Sequence, residues 1–149
     1  MNNPLLPAHL IAALGAFIFV FALAGLAVGI FYILTLQRAL NRCSPASRTM
    51  SPGLTWLLLI PLFGLIWQFF IVLAISKSVR NEFNARGVLN EEPEPGKAIG
   101  LAMAICTCAS IVPLIGVVAS LAGLVLWIVY WVKVADLAKK LETPVVATI

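Results

Sequence analysis

In this chain of 149 residues, few side chains could do chemistry. The densest polar set is Lys133, Asp136 and Lys140, spaced i, i+3 and i+7. On a helix that spacing puts all three on one face, with Asp136 able to pair with either lysine. An ionisable pair at membrane depth is a functional hypothesis by default. These residues follow Trp131, however, at an interface where lysines snorkel and pairs are solvated, so a structural role is expected. Gln68 is the one amide in its apolar stretch, placed to bond across helices or to line a cavity. His9, the only histidine, stands at the entry to an apolar run and reads as an interfacial side chain. No carboxylate lies inside any apolar stretch, so acid–base chemistry there has no acidic partner. No Ser-His-Asp set, metal cluster or phosphate-binding Gly loop occurs at meaningful spacing. No catalytic, cofactor-binding or metal-ligating residue is therefore expected. Cys106 and Cys108, two apart, point to different helix faces and read as small apolar packers rather than a zinc or redox pair. Cys43 lies in a basic loop as a free thiol. Glu91, Glu92 and Glu94 read as a solvated acidic patch rather than a calcium site.

The elements that carry these residues are set by composition. The chain is 62% hydrophobic and 11% charged, with a mean hydropathy of +1.05. A soluble domain is about half apolar and about a quarter charged, which excludes a soluble enzyme, a disordered tail and a disulfide-stapled module. The charges fall at 38–48, 77–97 and 133–142, leaving charge-free stretches at 10–36, 54–76 and 98–132. Each is long enough to span a bilayer core, which takes about 20 apolar residues. Ala22-Leu23-Ala24 resembles a signal cleavage site, but no Lys or Arg precedes Leu10 and the apolar run is too long for a signal core. The expected fold is a single all-α membrane domain over 1–149 with about four hydrophobic segments, near 8–37, 54–79, 97–112 and 114–135. Polar loops are expected at 38–53 and 80–96.

Small residues mark where those helices approach. Gly25 and Gly29 form a G-x-x-x-G, continued by Gly15 and Ala22, and later stripes run Gly100/Ala104/Cys108 and Gly116/Ser120 with Gly123. In lipid such stripes let backbones come close. Packing against the protein's own helices is expected ahead of self-dimerisation. Ser44-Pro45 and Ser51-Pro52 read as helix starts, with serine as cap and proline in the first turn. The second apolar segment is broken at Pro61–Gly64, then extends amphipathically over 77–86. There Ile75, Val79 and Phe83 share a face, Glu82 can pair with Arg86, and Gly87 is the stop. As one helix, 98–132 would run about 50 Å, too long for the bilayer core, so it must form a hairpin broken at Pro113. Ile60-Pro61-Leu62-Phe63-Gly64 and Val112-Pro113-Leu114-Ile115-Gly116 share a pattern and read as one turn device used twice. Four plain spans would split the ten Lys and Arg residues between two faces. A second segment that dips in and returns would gather all of them on one, with the N-terminus outside, as the positive-inside rule favours.

Asn41-Arg42-Cys43-Ser44-Pro45, Met50-Ser51-Pro52-Gly53, Trp56 through Phe63, Ser78-Val79-Arg80-Asn81-Glu82-Phe83 and Trp127-Ile128-Val129-Tyr130-Trp131-Val132-Lys133 together resemble a widespread family of small bacterial integral membrane proteins with no assigned activity. The resemblance covers roughly residues 30 to 140. It departs from that family's pattern at Gly64, where Asn is expected, and near Pro95, where an aromatic is expected. It implies a multi-pass protein of the bacterial inner membrane. The residues themselves favour a non-enzymatic helix-packing module with a basic cytoplasmic face. Its expected partners are the bilayer, anionic headgroups, and a second copy or another membrane protein; neither cofactor nor nucleic acid is expected. The alternative is a small transporter or channel using the Pro-broken helices, with Gln68, Thr107, Ser110 and Ser120 along a path.

Overall fold

A computed structural model describes residues 7–60, 62–88 and 92–142. Among them lie α1 (Ala8–Arg42), a 3-10 helix (Pro52–Leu59), α2 (Phe63–Ala85), α3 (Lys97–Ala109) and α4 (Gly116–Lys140), with no strand. The fold is all-α, and α1, α2 and α4 are long and apolar enough to cross a membrane. The chain divides into two compact units, Met1–Tyr32 and Ile33–Ile149, with the division falling inside α1.

The described part of the first unit is apolar on every side. Side chains from His9 through Val28 are exposed, and the rings of Phe17 and Phe21 lie with centroids 4.5 Å apart. A helix with no polar face is suited to lipid. Within this unit, a Cβ added at Gly15, Gly25 or Gly29 would meet no atom within 4 Å.

The second unit has a true core. Leu36, Leu40, Ile71, Val72, Ile75, Val79, Met103, Tyr130 and Val134 are almost fully buried. The Ile75, Val79 and Phe83 face of α2 supplies one wall, as its spacing predicts. Gly100 is where three helices close up: a Cβ there would stand 2.6 Å from Val72 Cγ1 and 2.7 Å from Tyr130 Cε2. Farther along the same pair, Gly123 of α4 faces the Cβ of Cys106 at 3.4 Å. The residue it meets on α3 is Cys106, which is not part of the Gly100/Ala104/Cys108 stripe. α2 stops where Gly87 takes φ +66°; Val88 N–H then bonds Phe83 O and Gly87 N–H bonds Asn84 O, the paired bonds of a Schellman cap.

The second apolar segment folds back on itself. Thr49 Oγ1 donates to Ala74 O, Trp67 Nε1 to Leu54 O, and Gly64 lies against Leu58 O, so the 3-10 helix and the first turns of α2 run side by side in opposite directions. An α-helix over 54–60 would make scarcely two turns. As a 3-10 helix rising about 2 Å per residue the first arm reaches farther. Ser51-Pro52 does start it, with proline in the first turn but no side-chain cap from Ser51. Ser44-Pro45 starts no helix, because residues 45–47 form a turn and the Ser44 side chain is used elsewhere. Pro61 lies outside the described residues; beside it Leu62 takes φ 63°, a strained conformation for a branched side chain.

α3 ends at Ala109, so the turn to α4 occupies 110–115 and opens earlier than the sequence suggests. The two Pro-Leu-x-Gly echoes share more than a pattern. A Cβ at Gly64 would stand 2.6 Å from Leu58 O, and one at Gly116 would stand 2.5 Å from Ser110 O. In both turns a carbonyl six residues upstream occupies the space a side chain would need, so only glycine fits.

Candidate functional site

Three charged stretches of the second unit meet at one end, and a buried carboxylate is their hub. Glu82 is 4% exposed, inside the last turns of α2. Its Oε2 accepts from the Ser44 backbone N–H at 2.7 Å and from Ser44 Oγ at 2.8 Å, and its Oε1 accepts from Arg86 Nε at 2.8 Å. Burying a carboxylate demands such partners. Arg86 carries the connection onward, donating from Nη1 to Leu141 O at 2.7 Å and from Nη2 to Arg42 O at 3.3 Å. Arg42 donates from Nη1 to Ala138 O at 2.7 Å and pairs through Nη2 with Glu142 at 2.8 Å.

The physical logic is that of helix ends. The last carbonyls of α1 and α4 have no intrahelical donors and carry the negative end of the helix dipole. Two guanidinium groups supply those donors from outside. The 41–49 connector is held in the same way: Arg48 donates to Cys43 O and Asn41 O, Asn81 to Ser47 O, and Thr49 N–H to Ser78 Oγ. Cys43 is a free thiol as expected, but it is buried, with Sγ 3.4 Å from Ala39 O. Burial, with the nearby Glu82 charge, pushes its pKa up to about 11.

The expected polar residues are divided differently from the sequence reading. Asp136 pairs with Lys140 at 3.2 Å, whereas Lys133 reaches across to Glu92. Glu94 pairs with Lys97 and lies 3.7 Å from Arg80. The acidic residues at 92 and 94 are therefore ion-pair partners rather than a separate patch; Glu91 lies outside the described residues. The hydrogen bond from Lys133, helped by the Gly96 N–H, holds Glu92 below the usual carboxylate range, and Lys97 does the same for Glu94. A cavity of about 520 Å³ opens beside this loop, with Ala98, Ile99 and Leu101 as apolar wall and Lys97, Glu92 and Glu94 at its edge.

Inside the apolar zone, Gln68 is half-buried on α2. Thr107, Ser110 and Ser120 come together around a cavity of about 270 Å³ that Trp127 also lines. Their hydroxyls donate to Met103 O, Thr107 O and Val117 O, all within 3–4 residues along the chain. Trp131 Nε1 donates to Thr35 Oγ1, and Trp56 Nε1 to Gln37 Oε1. His9 stands in the first unit. Among the described residues no group of three or more His, Cys, Asp or Glu side chains could hold a metal ion.

Sequence reasoning paired Glu82 with Arg86 but missed that Glu82 is buried and that Arg42 and Arg86 serve two helix ends. The available signal was an arginine in the last turn of α1 and another just past α2, where carbonyls lack donors. What this end does chemically is hold: Glu82, Glu92, Glu94, Asp136 and Glu142 are ion-paired, and carbonyls at the ends of α1 and α4 are capped. Comparison with protein-family models, with curated protein sequences and with solved structures finds no match.

Proposed function

We propose that the chain is a non-enzymatic membrane module of the bacterial inner membrane, with its charged end at the cytoplasmic face against anionic headgroups. One observation carries this reading: Glu82, Arg86, Arg42 and Lys133 tie all three charged stretches to a single end of the second unit. Positive charge collected on one side is the mark of a cytoplasmic face. Arg38, Lys77 and Lys139 are exposed there, placed to meet lipid phosphates. The resemblance to small bacterial membrane proteins supports the same location. The first unit's helix, apolar on every side with its Gly15, Ala22, Gly25 and Gly29 stripe, suits association with a second copy or another membrane protein.

Transport is the weaker reading, because the hydroxyls of Thr107, Ser110 and Ser120 already bond to nearby carbonyls and line no charged path. Purified protein in vesicles of phosphatidylethanolamine and phosphatidylglycerol tests both. The expected result is no ion flux above empty vesicles, and retention of anionic lipid that falls when Arg38, Lys77 and Lys139 are changed to Gln. Flux proportional to protein would overturn the proposal in favour of transport.

A further inference from the structure

We infer that the chain reversal between the 3-10 helix and α2, with Ile60, Leu62 and Phe63 at its tip, and the turn at 110–115 both end inside the hydrocarbon of the bilayer. The second unit then dips in from its charged face and returns without crossing. This rests on the reading that the charged end lies at the membrane surface.

Length is the first argument. The hydrocarbon core is about 30 Å thick. α3, with 13 residues, reaches about 20 Å at 1.5 Å per residue. α2 is long enough as a whole, but Lys77 ends its uncharged part, and 63–76 spans only about 21 Å. The 3-10 helix paired with it, of 8 residues, reaches about 16 Å. In α4 the charge-free part, 116–132, spans about 25 Å, and α4 is tied at its turn to the shorter α3. In each pair the shorter arm limits the depth.

The composition of the tips is the second argument. A turn that emerged on the far side would sit among headgroups and water. Here Ile60, Leu62 and Phe63 form one tip and Ile111, Val112, Leu114 and Ile115 the other, and all are exposed. Leu62 is 79% exposed and Leu114 95%, the two highest values among the exposed large apolar side chains. Apolar groups held outward at a tip fit acyl chains, not water.

Freed backbone groups in lipid need partners, and bonds within the two turns supply several of them. Ile60 N–H bonds Leu57 O, Gly64 N–H bonds Ile60 O, Ile111 N–H bonds Cys108 O and Val112 N–H bonds Ala109 O. Pro61 and Pro113 have no N–H to satisfy. The Ser110 hydroxyl donates to Thr107 O rather than outward.

The test uses the full chain with Cys43, Cys106 and Cys108 changed to Ala, and one cysteine restored at a time as L114C, L62C or A46C. Leu114 and Leu62 make so little contact that these substitutions leave the fold in place, which thermal unfolding in detergent checks. Each variant is spin-labelled in detergent and reconstituted in vesicles of phosphatidylethanolamine and phosphatidylglycerol. Labels at 114 and 62 are expected to collide with oxygen and to be shielded from a nickel chelate roughly tenfold relative to position 46, because hydrocarbon excludes polar solutes. In intact cells, L114C is expected to resist an impermeant maleimide. Nickel access at 114, or maleimide labelling of L114C from outside, overturns the inference. Labelling of A46C from outside instead overturns the cytoplasmic orientation, and leaves the depth measured at 114 standing.

Discussion

Leu23-Ala24-Gly25-Leu26 and Leu121-Ala122-Gly123-Leu124 are the same four residues in two different surroundings. In the first unit, a Cβ at Gly25 would meet nothing within 4 Å. In the second, Gly123 faces the Cβ of Cys106 at 3.4 Å, at a helix crossing that also buries Ala104 and Met103. Both segments are helical and apolar. The difference is that the second unit adds a polar clamp at one end, and the clamp aligns its helices closely enough for small residues to matter. The described part of the first unit has no such clamp, and within that unit its glycines pack against nothing.

The largest break in this contrast is at the clamp. Arg86→Met leaves the buried Glu82 carboxylate without its ionic partner and strips donors from Leu141 O and Arg42 O. A loss of about 3 kcal/mol is expected, the lower end for a buried pair broken from one side, since Arg86 is partly exposed. Reversible unfolding in mixed detergent measures it; a loss near zero would show that the clamp is decorative.

A pair of glycine variants sharpens the contrast. Gly100→Ala forces Val72 and Tyr130 apart and is expected to cost about 1–3 kcal/mol, as overpacking does. Gly25→Ala is expected to cost nothing, and to gain roughly 0.5 kcal/mol from helix propensity. The same unfolding assay compares them. A Gly25 variant that loses stability, or shifts from dimer to monomer on crosslinking, would reveal a partner on the first unit's stripe.

The loop before α3 gives a smaller, pH-dependent effect. Glu92 has its folded pKa lowered from 4.5, so its contribution is complete above that value and fades as the pH falls toward the folded value. Unfolding measured from pH 7 down to pH 3 should show Glu92→Gln losing on the order of 0.5 kcal/mol at neutral pH, with the gap to the parent closing in acid. A gap that widens in acid would contradict the Lys133 pairing. Smallest of all is Lys140→Gln, which removes an exposed pair with Asp136 and is expected to cost about 0.3 kcal/mol.

Much of the architecture was readable in the chain itself. Charge-free runs located the apolar helices, proline and glycine located the turns, and the 3.6-residue spacing picked out the buried face of α2. These are local properties, governed by backbone sterics and the period of a helix. The 3-10 form of 52–59 was not readable, because an apolar run with proline at its start suits either helix; the fold-back itself was favoured by the distribution of Lys and Arg. Nor was the true partner of Lys133, since Asp136 is near in sequence and Glu92 is near only in space.

By itself the sequence determined that the chain is all-helical, apolar enough for lipid, and charged in three separate stretches. It also placed glycine at the same position of one turn pattern used twice. Tertiary structure alone decided that the three stretches come together, that Glu82 is buried among them, and that Gly123 is packed against α3 while its twin Gly25 meets nothing within 4 Å in its own unit. The physical reason is that composition and period act along the chain. Burial, carbonyl capping and close approach depend instead on which residues distant in sequence share the same few ångströms.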